Sequence, residues 1–342
     1  MQEEHEKYMR RCLQLAQQGA STVSPNPMVG SVIVHQGKII GEGWHQQAGK
    51  AHAEVNAIAN VTNKELLKKA TLYVNLEPCS HQGRTPPCSN LIIEMQIPKV
   101  VIGCRDTNSL VNGKGIAKLK NAGIEVIEDT LKEESEFLNR RFFTFHAQQR
   151  PYILLKWAQS KDGFLDINRQ AQQKGMHWIS SPETRPFVHR ERSRVDGILV
   201  GANTVINDNP HLGISEFASQ KNICRIIIDL QGRLNLNSQV FRDAHFLYFS
   251  AAARGVETQV IAAENPLSEI LKVLHQKDIQ SIMVEGGGFT LQQFIAAQLW
   301  DEALIISGPQ ALKEGLAAPE IDGKITEDYY LKQDHIQRLF PL

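Results

Sequence analysis

One histidine, one glutamate and two cysteines are the residues of this sequence whose types and spacing most clearly predict chemistry. His52 stands two residues before Glu54, and Cys79, which follows a proline, is separated from Cys88 by eight residues. One imidazole and two thiolates suit tetrahedral Zn²⁺, and three protein ligands leave a fourth position for water, as in catalytic zinc sites. Glu54 is the expected acid/base, because a carboxylate beside the metal can carry protons from water to a leaving amine. The pattern is typical of zinc-dependent nucleobase deaminases.

The elements that must position these residues follow from the spacing of apolar side chains. We expect helices at about residues 4–18, 52–59, 88–95, 116–121 and 131–145, and strands at 29–34, 38–44, 71–76, 100–103 and 124–127. Helices alternating with short apolar strands predict a three-layer α/β domain. The pairs Gly41-Glu-Gly43 and Gly113-Lys-Gly115 are too short for a dinucleotide-binding fingerprint, and we interpret them as turns.

The polar run before Pro151 predicts a boundary between two domains, residues 1–147 and 151–342. The second domain is also predicted to be α/β, with strands at 152–157, 197–200, 225–229, 245–249, 281–284 and 303–307 and helices at 182–194, 268–276 and 291–299. Glycines follow two of these strands, at Gly201 and at Gly286–Gly288. Such turns let backbone amides approach a phosphate, although a plain tight turn would look the same.

Composition excludes several classes of function. Lys+Arg and Asp+Glu both number 37, so no basic excess indicates a nucleic-acid partner. Apolar runs are of strand length, and the N-terminus is acidic, so we expect neither a membrane span nor a secretory signal. Five cysteines are too few and odd in number for a disulfide scaffold, which favours reduced thiols and a cytoplasmic location.

The long cysteine loop makes the resemblance to a known family specific. The run Pro78–Cys88, together with Pro25–Gly30 and Gly43-Trp44-His45, resembles the bifunctional deaminase/reductases of riboflavin biosynthesis over nearly the whole chain. The resemblance implies a cytidine-deaminase-like domain that binds zinc through His52, Cys79 and Cys88 and uses Glu54 for proton transfer. Its substrate would be the phosphorylated pyrimidine 2,5-diamino-6-(5-phosphoribosylamino)pyrimidin-4-one. The implied substrate-pocket residues are Asn26, His45, His81 and Arg84.

The same resemblance implies a dihydrofolate-reductase-like second domain that reduces the ribosyl group to ribityl with NADPH. The implied cofactor contacts are Ala158, Trp178, Thr204, Asp208, Gly286, Gly287 and Gly288. The implied substrate contacts are Lys156, Arg192, Leu212 and Glu285. A homo-oligomer, dimer or tetramer, is expected by the same analogy.

Four positions depart from the family pattern: Met176 replaces a small polar residue, Ser215 an arginine, and Thr107 and Ser109 two prolines. Arg185, Arg190 or Arg194 could replace the missing cation; otherwise the reductase half is weak or has another task. Two further alternatives are a deaminase of free cytosine or tRNA adenosine and a zinc-stabilised module without catalysis. The cysteine spacing and neutral charge disfavour the former.

Overall fold

The computed structural model describes residues 2–80, 86–106, 112–170, 173–219, 221–242, 245–262 and 264–342. The chain forms two compact units, residues 1–149 and 150–342. Within the described residues, no helix is both long and apolar enough to cross a lipid bilayer.

The first unit is a five-stranded sheet covered by helices on both faces. Its helices are α1 Gln2–Ala16, α2 Ala53–Ala59, α3 Cys88–Glu94, α4 Lys114–Asn121, α5 Lys132–Leu138 and α6 Arg140–Gln148. Its strands are β1 Gly30–His35, β2 Lys38–Trp44, β3 Thr71–Leu76, β4 Lys99–Cys104 and β5 Glu125–Ile127, in the order β2-β1-β3-β4-β5. One core lies between the sheet and α1, and a second between the sheet and α2, α3 and α4. The prediction of a three-layer domain is confirmed.

Two local predictions for the first unit were wrong. Gly41 and Gly43 lie within β2 rather than in a turn, and a Cβ at Gly43 would lie 2.5 Å from the backbone nitrogen of Ala57. Glycine therefore lets α2 pack directly on β2. Of the other pair, Gly113 precedes α4, but Gly115 lies inside it.

The helix predicted at 131–145 is two helices, α5 and α6, which meet at Asn139. The side chain of Asn139 points inward and binds the backbone of Met28. That tertiary contact, which periodicity does not report, accounts for the break.

The second unit is built on a nine-stranded, mostly parallel sheet. Its helices are α7 Arg185–Ser193, α8 Ala202–Asp208, α9 Pro266–Gln276 and α10 Gly288–Ala296. Its strands are β6 Tyr152–Gln159, β7 Phe164–Asp166, β8 Gly197–Gly201, β9 Cys224–Ile228, β10 Phe246–Ser250, β11 Thr258–Val260, β12 Ser281–Val284, β13 Glu302–Ser307, β14 Leu316–Ala317, β15 Lys324–Leu331 and β16 Asp334–Phe340. The large sheet has the order β11-β10-β9-β8-β12-β6-β13-β16-β15, and β7 pairs with β14 in a small sheet.

Sequence reasoning missed α8, the short strands β7, β11 and β14, and the C-terminal hairpin of β15 and β16. β15 is exposed along nearly its whole length and so lacks an apolar pattern. The parallel strands β6, β8 and β12 are neighbours, so their carboxyl ends lie together at one edge of the sheet. In open parallel sheets this edge is where ligands bind.

Candidate active sites

The metal-ligand candidates of the first unit are held by two helix N-termini and one strand end. His52 immediately precedes α2, Cys88 is the first residue of α3, and Cys79 follows β3 after Glu77 and Pro78. The predicted placement of His52 and Cys88 at helix starts is confirmed. A helix N-terminus favours a thiolate, because its unpaired N–H groups carry partial positive charge.

The spacing of the three donor atoms fits zinc. The Nδ1 atom of His52 lies 3.6 Å from the Sγ atom of Cys79 and 3.3 Å from that of Cys88, and all three donors lie within 4.8 Å of one another. A tetrahedral ion with ordinary Zn–S and Zn–N bond lengths would separate nitrogen from sulfur by about 3.6 Å. The three side chains thus already have the spacing that the ion requires.

Hydrogen bonds among the three donors shift the pKa values of the two cysteines in opposite directions. Contacts with the Cys88 side chain and with His52 lower the pKa of Cys79 to about 4. The contact with Cys79 raises the pKa of Cys88, since two thiolates repel each other without a cation between them. Hydrogen bonding to Cys79 raises the pKa of His52. A dication between the sulfurs would remove this conflict.

Glu54 lies in the first turn of α2 and is buried beside the donors, with 3% of its surface exposed. Its Oε2 atom has no hydrogen-bond partner among the described residues. Burial, followed by the negative charge of Cys79, raises the pKa of this carboxyl to about 7. A buried carboxyl oxygen without a protein partner, on a group that titrates near neutrality, suits a residue that takes up and returns a proton.

Asn26 and His45 form a pair next to the metal ligands. The Nδ1 of His45 donates to the carbonyl oxygen of Ala51 at 3.0 Å, so its Nε2 accepts from the amide nitrogen of Asn26 at 3.0 Å. Burial lowers the pKa of His45, which keeps the ring neutral. The rings of His45 and His52 lie edge to face, 5.5 Å apart. The structure thus brings together two of the four predicted pocket residues; His81 and Arg84 lie outside the described residues.

Two buried asparagines that sequence reasoning missed hold the segment after Asn26. Asn139 accepts from the backbone nitrogen of Met28 at 2.8 Å and donates to its carbonyl oxygen at 2.9 Å. Asn75, on β3, accepts from the nitrogen of Gly30 at 2.8 Å and donates to the same Met28 oxygen at 3.1 Å. For Asn75 the sequence signal was a polar residue inside an otherwise apolar strand, whereas Asn139 stands among charged residues and carries no such signal.

Glu77 is a third missed residue, and it precedes Pro78-Cys79 directly. Its buried carboxylate accepts from four backbone N–H groups, those of Asp106, Gly113, Gly115 and Ile116. It therefore ties the end of β3 to the start of α4, next to the loop that carries Cys79.

In the second unit, the glycine turns after β8 and β12 lie against each other. A Cβ at Gly286 would lie 2.8 Å from the backbone nitrogen of Gly201, so a larger residue would separate the turns. The nitrogen of Gly287 donates to the Oγ1 of Thr204 at 2.8 Å, and α8 and α10 start at these turns. Two helix N-termini at adjacent strand ends fit the phosphates of a dinucleotide. The structure thus brings Thr204 together with the Gly286–Gly288 turn.

Three of the predicted substrate residues form an ion cluster at the same edge, with side chains only 9–15% exposed. The Nε and Nη2 atoms of Arg192 each lie 2.7 Å from an oxygen of Glu285, and the Nζ of Lys156 lies 3.8 Å away. Burial raises the pKa of Glu285, but Arg192 and Lys156 outweigh it and lower the value to about 2. Burial lowers the pKa of Lys156, and Glu285 opposes that effect. The cluster carries one net positive charge.

The remaining predicted residues of the reductase half range from half exposed to buried. Trp178 is half exposed, with the guanidinium of Arg185 3.9 Å above its ring, and Asp208 pairs with Arg169 at 3.0 Å. Leu212 is buried with a φ of 55°, and Ala158 packs against the core from β6. Sequence reasoning missed Arg169.

The three arginines considered as replacements at Ser215 also lie in different surroundings. Arg194 and Arg190 face Glu191, at 3.0 and 3.7 Å, whereas Arg185 stacks on Trp178. Met176 is exposed.

Comparison with known protein families matches both units. Residues 2–104 match the cytidine and deoxycytidylate deaminase zinc-binding region, and residues 151–339 match the RibD C-terminal domain. The riboflavin biosynthesis protein RibD of Aquifex aeolicus is 40% identical over 332 residues, which cover 94% of this chain and 91% of that protein. The chain belongs to the RibD family. RibD of Escherichia coli is 36% identical, over 91% of this chain and 89% of that protein.

Solved structures of the RibD family agree with the fold along the whole chain. RibD of Acinetobacter baumannii superimposes with a TM-score of 0.90 at 31% identity, covering 100% of both chains. A Thermotoga maritima protein described as a diaminohydroxyphosphoribosylaminopyrimidine deaminase/5-amino-6-(5-phosphoribosylamino)uracil reductase has a TM-score of 0.89 at 33% identity, covering 100% of this chain and 99% of that one. The predicted cytidine-deaminase-like and dihydrofolate-reductase-like folds are confirmed. The prediction of zinc and NADPH as the cofactors of the family's two domains is also confirmed.

Proposed function

We propose that this chain catalyses two successive steps of riboflavin biosynthesis. The first is the hydrolytic deamination of 2,5-diamino-6-(5-phosphoribosylamino)pyrimidin-4-one, in which water replaces the 2-amino group and ammonia leaves. The second is the NADPH-dependent reduction of the ribosyl side chain to ribityl. The observation that carries the first step is the unpartnered, buried Oε2 of Glu54 beside three donors with the spacing of a zinc site.

In the deaminase site, His52, Cys79 and Cys88 hold the metal and Glu54 carries the protons. Zinc, when bound, supplies the Lewis-acid chemistry that makes an attacking water available near neutral pH. Glu54, buried beside the donors with a free Oε2, takes a proton from that water and returns it to the departing nitrogen. Asn26, oriented by neutral His45, reads the amide edge of the pyrimidine. By family resemblance, His81 and Arg84 line the same pocket, and the guanidinium of Arg84 suits the ribose phosphate of the substrate.

In the reductase site, the turns at Gly201 and Gly286–Gly288 bind the cofactor together with Thr204, and Trp178, Asp208 and Ala158 line it. NADPH, when bound, supplies a hydride for C1′ of the opened ribose. The cationic cluster of Lys156 and Arg192, anchored by Glu285, lies at the same sheet edge and polarises the reacting group of the substrate. Leu212, a further substrate contact, is buried one residue before Gly213, whose carbonyl oxygen accepts from Arg192.

One assay tests both halves. Purified zinc-replete protein is incubated with the phosphorylated diaminopyrimidine and NADPH, and ammonia and NADPH oxidation are followed together. Ammonia release followed by NADPH oxidation is expected. Ammonia without NADPH oxidation would leave a deaminase whose second unit has another task. The absence of both ammonia release and NADPH oxidation would overturn the proposal.

We also propose a cytoplasmic homo-oligomer in which the second unit supplies the contact. The five cysteines form no disulfide bonds with one another. Within the described residues, β15 is the last strand of its sheet, and Ile325, Tyr329 and Tyr330 are exposed on it. An exposed edge strand with aromatic side chains suits pairing with another copy. Small-angle scattering should give a dimer or tetramer, and Tyr330→Lys should shift it toward monomer; a monomeric wild type would contradict the proposal.

A further inference from the structure

His189 lies on α7 one turn before Arg192, so the two side chains share a face of the helix. Arg192 donates from Nη1 to the carbonyl oxygen of Gly213 at 3.0 Å, and the backbone nitrogen of Ser215 donates to the Nδ1 of His189 at 3.1 Å. This face of α7 therefore holds both ends of the segment Gly213–Ser215, which follows Leu212.

The contact with Ser215 fixes the tautomer of His189. Because a backbone N–H points at Nδ1, that nitrogen carries no proton, and the ring proton is on Nε2. Burial, followed by the charge of Arg192, lowers the pKa of His189, so the ring is neutral near pH 7. The side chain is only partly buried. It is thus an N–H donor whose Nδ1 is held by Ser215 and whose side chain is partly exposed.

The charges around this donor favour an anion. The charged groups that act on the ring are Lys156 on β6, Arg192 on α7, Glu285 after β12 and Glu216 in the loop. The side chains of Lys156, Arg192 and Glu285 are only 9–15% exposed and sum to one positive charge, whereas Glu216 is exposed and screened by solvent. The substrate of the proposed reduction carries one anionic group, a phosphate monoester.

We propose that His189 is a substrate-binding residue of the reductase site, whose Nε2–H donates a hydrogen bond to the phosphate monoester of the substrate while its Nδ1 holds Ser215. The inference rests on the proposed function of the second unit. It makes His189 a specificity residue, which distinguishes the phosphorylated compound from its nucleoside.

Two substitutions test the roles of the two ring nitrogens separately. His189→Asn places an amide near Nδ1 and keeps the contact with Ser215, but it lacks a donor at the position of Nε2. His189→Gln extends an amide to the position of Nε2 and loses the acceptor for Ser215. The reductase step is measured as NADPH oxidation with the deaminated substrate and, separately, with its dephosphorylated counterpart.

For His189→Asn we expect KM for the phosphorylated substrate to rise roughly ten- to hundredfold, since a hydrogen bond to a charged group is lost. The value of kcat and the KM for the dephosphorylated compound should stay within about twofold, and His189→Gln should retain most of the affinity. Wild-type behaviour of His189→Asn, or equal losses with both compounds, would overturn the proposal, because His189 would then only hold the loop.

A failure of the proposed function is distinguishable from a failure of this inference. If the wild type oxidises no NADPH, the proposed reductase activity fails. Calorimetric titration of wild type and His189→Asn with the phosphorylated and dephosphorylated compounds then decides about His189. Ammonia release by both variants, which depends on the other unit, serves as the control for intact protein.

Discussion

The metal-binding donors of the first unit come from residues close in sequence, whereas the charged cluster of the second unit comes from distant ones. His52 and Cys88 are 36 positions apart, and each starts a helix; Arg192 and Glu285 are 93 positions apart, on α7 and after β12. Zinc chemistry restricts the ligand types, so the first site shows itself as a motif. The second site depends on which strands become neighbours, and only the fold determines that. The two sites should therefore respond to substitution separately and for different physical reasons.

Glu54→Gln tests the first site and should have the largest effect. The variant keeps the size of the side chain but cannot accept the proton of the attacking water, so ammonia release should fall at least about a hundredfold. NADPH oxidation with separately supplied deaminated substrate should be unchanged. Glu94→Gln, on an exposed face of α3, is the matched control. Full ammonia release by Glu54→Gln with normal zinc content would refute the assigned role.

Glu285→Gln tests the second site in the same way. Removal of the carboxylate leaves Lys156 and Arg192 buried without their counter-charge, which should lower the free energy of unfolding by about 3–5 kcal/mol. NADPH oxidation should fall while ammonia release persists. Trp157, Trp178 and Trp300 lie in the second unit, so urea unfolding followed by tryptophan fluorescence mainly reports that unit. Exposed Glu314→Gln is the control, and an equally stable Glu285→Gln would show that the cluster is not stabilising.

Lowering the pH should destabilise the second unit through protonation of Glu285. The pKa of Glu285 is depressed in the folded protein from 4.5 to about 2, so its stabilising effect is present above pH 4.5 and is lost as the pH falls toward 2. Between pH 5 and pH 3 the second unit of the wild type should lose about 2 kcal/mol more than that of Glu285→Gln. The free energy of unfolding of both proteins, measured by urea titration at each pH, checks this. Parallel pH profiles would mean that Glu285 does not titrate as described.

The sequence predicted the parts of the molecule that depend on local chemistry. The strands Thr71–Leu76 and Ser281–Val284 have the predicted bounds, because their apolar runs are buried on both faces. The hairpin of β15 and β16 was missed, since an exposed strand carries little periodicity. Periodicity predicts one continuous helix through Asn139, because the contact of Asn139 with Met28, 111 positions away, leaves no local pattern. The packing of Gly43 on Ala57 likewise leaves no local pattern, so the glycine spacing wrongly indicates a turn.

Asn139→Ala should have the smallest effect. It tests directly whether the first site depends on a long-range contact that the sequence pattern does not show. The variant loses both hydrogen bonds to Met28, and the backbone nitrogen of Met28 loses its acceptor, at a cost of about 1–3 kcal/mol. Because Asn75 still binds the carbonyl oxygen of Met28, the segment should loosen rather than unfold. Asn26, two residues before Met28, should then be less well placed.

The measurement is the kinetics of ammonia release. The KM for the pyrimidine should rise several-fold, roughly five- to thirtyfold if most of that cost falls on substrate binding. Zinc content and NADPH oxidation should be unchanged, and Asn121→Ala, at the exposed end of α4, is the matched control. An unchanged KM with lowered stability would show that Asn139 only stabilises the fold. A raised KM would show that the first site, although recognisable from four residues, also depends on a long-range contact that its motif does not contain.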